Sequence, residues 1–161
     1  MNTAEMTVLS FPGAPAPTPL AGLTAVPVTD PADVDGALDG ARRLIVVGGN
    51  AALATVLARL LRAERLDIEV AHVTSRRTAR RALTGVAREV PLIRDETGAV
   101  LVGAAFWRGV DGAPLHGEAV VDDTVLFDGD VTGVRIEPLG ELPGLRATVL
   151  PGFGRRRWVS G

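Results

Sequence analysis

Cysteine, lysine and tyrosine are absent from the 161 residues, and only two histidines occur. Without cysteine there are no disulfides, thiol nucleophiles or thiolate metal sites, so stability has to come from packing. All 17 basic residues are arginine, which excludes a P-loop lysine, a Schiff base and a lysine general base. His72 and His116 do not form an HExxH arrangement, so a zinc-peptidase helix is excluded as well. Serine is scarce and no GxSxG elbow exists; Ser75, three residues after His72, reads as a helix cap rather than half of a catalytic dyad. No apolar run approaches the roughly 18–20 residues of a bilayer span. The first residues also lack the basic and uninterrupted apolar regions of a signal peptide. The expectation is a cytoplasmic protein that does not span a membrane.

What is present is apolar and nearly neutral. With 47% hydrophobic residues and a net charge of −2, the chain should bury a core, and it has no bulk electrostatic reason to coat nucleic acid. Its length suits one well-packed domain, or a small α/β lobe joined to a β lobe.

The most informative stretch is residues 42–73, which reads as a buried strand, a Gly-Gly turn, an amphipathic helix and a second strand. Leu44-Ile45-Val46-Val47 is continuously apolar, as a strand covered on both faces should be. From Asn50 onward Leu53, Val56, Leu57, Leu60 and Leu61 recur at helical spacing, with Arg59, Arg62 and Glu64 on the other face. Asp67–Val73 alternates charged and apolar positions, which predicts a strand near the sheet edge. Together these form a right-handed βαβ unit. Thr74-Ser75 caps a further helix, from Arg76 to about Gly85, with Ala79, Ala82 and Leu83 as a narrow apolar stripe.

On either side the signals differ. Residues 1–28 carry prolines at 12, 15, 17, 19 and 27 and are expected to form a Pro-rich arm, with Met6–Phe11 adding at most one short edge strand. Asp30-Pro31-Ala32-Asp33 has the pattern of a helix start, predicting a short helix to about Gly40. After Gly85 the pattern becomes β: Val90–Ile93 and Val100–Val102 flank an Arg94–Gly98 turn, predicting a hairpin. Further runs at Ala119–Val121, Thr124–Phe127, Val131–Ile136 and Arg146–Leu150 are separated by DGA, DGD and PGL turns. Trp158-Val159 begins one more strand pattern, so the β half is expected to be cut short at Gly161. The fold expected is α/β: a Rossmann-like parallel lobe over 29–88, then an antiparallel, sandwich-like β lobe over 89–161.

Three places invite a ligand. Gly48-Gly49-Asn50-Ala51-Ala52 lies at the carboxyl end of a strand, where open α/β sheets bind ligands and where a helix amino terminus favours anions. Asn50 offers an amide to a phosphate or sugar, and is also a good N-cap. The alternative is a tight turn without a ligand. GxGxxG is not satisfied and no acid ends the second strand, which argues against NAD in a Rossmann mode. Second, Arg76, Arg77, Arg80 and Arg81 form two four-spaced ladders of like charge, better tolerated when an anion neutralises them. The alternative is a solvated face paired with Glu69 or Glu89. Third, Asp122, Asp123, Asp128 and Asp130 suggest either turns or an oxygen-ligand cation site. Arg155-Arg156-Arg157-Trp158 is a weak nucleic-acid signal in a mildly acidic protein.

With these elements in place, the chain resembles the superfamily of diacylglycerol kinase-like lipid kinases and NAD kinases, at motif level over residues 41–95. LIVVGGNAALATVL is similar to the GGDGT element of that family, with Gly48 and Gly49 kept, Asn50 in place of the acid, and Ala51 and Ala52 in place of glycine and threonine. VTSRRTAR at 73–80 is similar to the phosphate-binding GTGNDFAR loop, sharing Thr74, Ala79 and Arg80, with Arg76-Arg77 in place of Asn-Asp. Phe127-Asp128-Gly129-Asp130 weakly resembles the family's Asp-Gly-Glu element. The resemblance implies two lobes with a nucleotide or phosphate site. The replaced residues imply loss of phosphoryl transfer, because groups to hold Mg²⁺ and orient a nucleophile are missing.

The reading is a catalytically degenerate kinase-like protein that binds ATP, ADP or another phosphate-bearing small molecule through Gly48, Gly49, Asn50, Thr74, Arg76, Arg77, Arg80 and Arg81. One alternative is a protein-interaction module, with the proline-rich arm or β edges recruiting a partner or a second copy. The other is an active lipid or NAD kinase-like phosphotransferase, with Mg²⁺ held by Asp122, Asp123, Asp128 or Asp130.

Overall fold

The apolar run at Leu44–Val47 does become the centre of a parallel sheet. The computed structural model describes residues 5–121 and 124–150. Its elements divide into two compact units, one running through Glu89 and including Arg94–Val102, the other made of Val90–Ile93 and the chain from Gly103.

In the first unit, strands β1 (Met6–Ser10), β2 (Thr24–Pro27), β3 (Arg43–Val47) and β4 (Glu69–Val73) form an all-parallel sheet in the order β2-β1-β3-β4. Every residue of β3 is buried. Helix α1 (Asn50–Arg62) joins β3 to β4, and α2 (Arg76–Thr84) follows β4. Strand alternation sends Leu9, Leu44 and Val46 to one face, against Val56 and Leu60 of α1. It sends Val8, Ile45, Val47 and Val73 to the other, against Ala79 and Ala82 of α2. The two helices therefore cover opposite faces of the sheet, as in a doubly wound fold.

The proline-rich segment is not an arm. Met6–Ser10 is an interior strand, bonded to β2 on one side and β3 on the other, and Val8 and Leu9 are fully buried. The prolines begin only after it. Pro27 closes β2, an edge strand, where a missing N–H is tolerated. The expected helix after Asp30 is a 3-10 helix, Pro31–Ala37, with the anticipated cap in place: the Asp30 carboxylate accepts from Ala32 N at 2.8 Å.

Asp33 completes that cap in reverse. Its carboxylate accepts from the backbone N–H groups of Asp30 and Thr29, each at 2.8 Å, and from the Thr29 hydroxyl at 3.1 Å. These bonds hold its pKa below the ordinary aspartate value. A depressed folded-state pKa adds stability that is complete above the unfolded value and disappears as pH falls through the folded one. Carboxyl NMR titration should place the Asp33 midpoint below that of an aspartate in an unfolded peptide. Asp33→Asn should remove this part of the acid sensitivity.

The second unit is antiparallel. Strands β5 (Ala105–Trp107), β8 (Val134–Pro138) and β9 (Leu145–Val149) make one sheet in the order β5-β8-β9, and β6 (Leu115–Val121) pairs with β7 (Thr124–Val131). Phe127 and Val134 are buried in it, with Trp107 tilted against Phe127 at 6.2 Å. Two expectations are corrected. Asp128-Gly129-Asp130 is no turn but part of the carboxyl half of β7, with Gly129 opposite Gly117. The hairpin at 90–102 reduces to its turn: Asp95 Oδ1 accepts from Thr97 N and Ala99 N, each at 2.9 Å, and a single bridge joins Arg94 to Val100. Asp122, Asp123, Arg155–Arg157 and Trp158-Val159 lie outside the described residues.

Candidate functional site

Sheet order 2-1-3-4 reverses direction between β1 and β3, and the Gly48-Gly49 turn leaves the carboxyl end of β3 at that switch point. The two glycines do different work. Gly48 donates its N–H to Val73 O at 3.3 Å and accepts His72 Nε2–H on its carbonyl at 2.8 Å. A Cβ at position 48 would stand 2.7 Å from Ala52 Cβ and 3.4 Å from Phe11 Cβ. Gly48 is thus a packing glycine, covered by the first turn of α1 and by Phe11, with its backbone N–H and carbonyl both engaged.

Gly49 is the N-cap of α1, in ordinary extended backbone, and a Cβ there would meet nothing within 4 Å. It takes the place expected for Asn50, which is instead the first helical residue and is exposed. No side chain caps this helix. The N–H groups of Asn50, Ala51 and Ala52 therefore lack intrahelical acceptors, and the positive end of the helix opens past an unobstructed Gly49.

At the neighbouring β4–α2 junction, Ser75 is the helix cap: its hydroxyl accepts from Thr78 N at 3.2 Å, and Thr78 Oγ1 accepts in return from Ser75 N at 3.0 Å. Thr74 donates its own N–H to Thr78 Oγ1 at 3.0 Å. Arg76 and Arg77 occupy the first two positions of α2, at the same edge of the sheet as Gly49. Arg80 and Arg81 lie a helical turn further along, toward the strands' amino ends.

The four arginines share the side of α2 turned away from its apolar stripe. With a 100° step per residue, Arg76, Arg80, Arg77 and Arg81 follow one another around about 140° of α2, away from the apolar stripe Ala79–Ala82–Leu83, with Arg81 at the end nearest Thr78. Arg81 borders a groove of about 550 Å³ that runs beside β4 and includes Arg43, Glu69, Thr78, Gly85 and Arg88. Among the described residues no carboxylate pairs with Arg76, Arg77, Arg80 or Arg81. Of the two acids named for a solvated, paired face, Glu69 and Glu89, the Glu69 carboxylate is held by Arg43.

Arg43 was not singled out from the sequence. It is 3% exposed and uses its whole fork: Nε donates to Glu69 Oε2 at 2.7 Å, Nη1 to Ala82 O at 2.7 Å and Nη2 to Gly85 O at 2.8 Å. It ties the start of β3 and β4 to the last turn of α2. The only sequence signal was an arginine immediately before an unbroken apolar run.

Of the acidic candidates, Asp130 Oδ1 meets His116 Nδ1 at 2.8 Å across the β6–β7 ladder, fully on the surface, and Asp128 stands opposite Glu118. Among the described residues, no group of three or more His, Asp or Glu side chains is placed to hold a metal ion. No helix among them is long and apolar enough to cross a membrane. No protein-family model matches this chain, and no curated protein matches it.

Proposed function

We propose that the chain binds a phosphate-bearing small molecule at the carboxyl edge of its parallel sheet and does not transfer the phosphoryl group. The observation that supports this is the uncapped amino terminus of α1, whose free N–H groups open past Gly49 into unobstructed space. Asn50 adds a side-chain amide, and Arg76 and Arg77 stand at the start of α2 on the same edge. The reading is narrower than the sequence suggested: Gly48 serves packing, and Arg81 belongs to the groove beside β4. Asn50-Ala51-Ala52 supplies no carboxylate to position a metal or a nucleophile, which is why binding without catalysis is proposed.

Gly49→Asp tests this with opposite effects on folding and binding. A carboxylate at the N-cap would accept from the same N–H groups, so thermal stability should rise by about 0.3–1 kcal/mol. Calorimetry with ATP, ADP and inorganic phosphate should detect binding to the native chain and none to the variant. A native chain that binds none of the three at millimolar concentration would remove the proposal.

A further inference from the structure

We propose that the open edge of β4 accepts an extended acidic peptide from another protein as a fifth strand. Among the described residues the sheet ends at β4, which pairs there only with β3. Glu69 N bonds to Arg42 O, and Val73 O accepts from Gly48 N, so residues 69, 71 and 73 turn their backbone groups toward β3. By the two-residue alternation of a strand, the N–H and C=O of Val70 and His72 then point outward. Such a row of free donors and acceptors is the template for strand addition.

The walls of the groove specify the peptide. On the α2 face, Arg81 and Arg88 line it; both are exposed, and among the described residues neither is paired with a carboxylate. Glu69, the acid within the groove, is neutralised by Arg43. On the opposite face the half-buried Val70 packs against the α1 core. A strand laid along this edge would therefore place acidic side chains toward Arg81 and Arg88 and apolar ones beside Val70, one residue after another. A second copy fits poorly. Two β4 edges paired about a two-fold axis would set both α2 helices on one face and oppose Arg81 and Arg88 with their own charges.

The probe is a short acetylated peptide alternating valine and glutamate, compared with a valine–lysine peptide and with a version interrupted by proline. The first should bind with an affinity that falls as salt rises and should slow amide exchange at Val70 and His72. The proline and lysine versions should not bind. Arg81→Glu combined with Arg88→Glu should weaken the glutamate peptide at least tenfold and admit the lysine peptide. Val70→Pro should abolish binding while keeping the β3 ladder, because it deletes only an outward-facing donor. Failure of the glutamate peptide to bind would overturn the proposal. So would equal binding of all three peptides, or a dimer in which the Val70 and His72 amides are already protected. None of these readouts depends on phosphate binding at Gly49.

Discussion

Arg43→Met should lower the stability of the first unit by about 2–4 kcal/mol, measured by urea unfolding. The guanidinium satisfies three acceptors at once, two of them backbone carbonyls at the end of α2. A methionine fills similar space and donates nothing, so Ala82 O and Gly85 O lose their partners and Glu69 loses its counter-charge. Glu69 remains partly open to water, which keeps the loss below that of a fully enclosed pair. Arg43→Lys should recover little, since a point charge cannot span three acceptors held by a planar fork. Adding Glu69→Gln to Arg43→Met should recover part of the loss by removing the orphaned charge, and the double-mutant cycle should show that coupling.

Gly48→Val should be nearly as damaging, and Gly48→Ala should cost about 1–3 kcal/mol. The new Cβ would sit 2.7 Å from Ala52 Cβ, a separation that only displacement of the first turn of α1 relieves. That displacement would also strain the His72 bond to Gly48 O and the Gly48 N–H bond to Val73 O. Pairing Gly48→Ala with Ala52→Gly removes the colliding methyl. The pair should therefore be more stable than the sum of its parts, although Ala52→Gly alone costs about 1 kcal/mol in a helix. Position 49, one residue on, should accept a side chain freely. Adjacent glycines with opposite tolerance are the simplest check on the geometry of this turn.

The βαβα centre of the first unit was legible because its local and global signals agree. Leu44–Val47 is apolar throughout and is buried on both faces; the Asp67–Val73 alternation matches a strand at the sheet edge. The short strand expected at Met6–Phe11 is present as Met6–Ser10, but inside the sheet rather than at its edge, because it ends before the first proline and pairs on both sides. Asp30 announced its cap, but sequence spacing did not separate a 3-10 turn from an α-helix. At Arg94–Gly98 the turn chemistry was correct and the flanking strands were not, since a turn fixes its own geometry but not the partners of the residues around it. For the candidate site, the four-residue arginine spacing places all four side chains on the side of α2 away from Ala79–Ala82–Leu83. What only the sheet order supplied was that Arg81, at one end of that arc, borders the outer edge of β4.

The interior position of β1 has a consequence for synthesis. Met6–Ser10 leaves the ribosome before either of its neighbours, one of which is Arg43–Val47, made only after β2 and the 3-10 helix. Until then the apolar segment MTVLS has an unfilled side, and the nascent chain has to carry it without a finished sheet. The first of these four strands to be made thus waits for the third before both its neighbours exist, and the prolines that follow it keep the adjoining chain from extending the exposed β template in the interval.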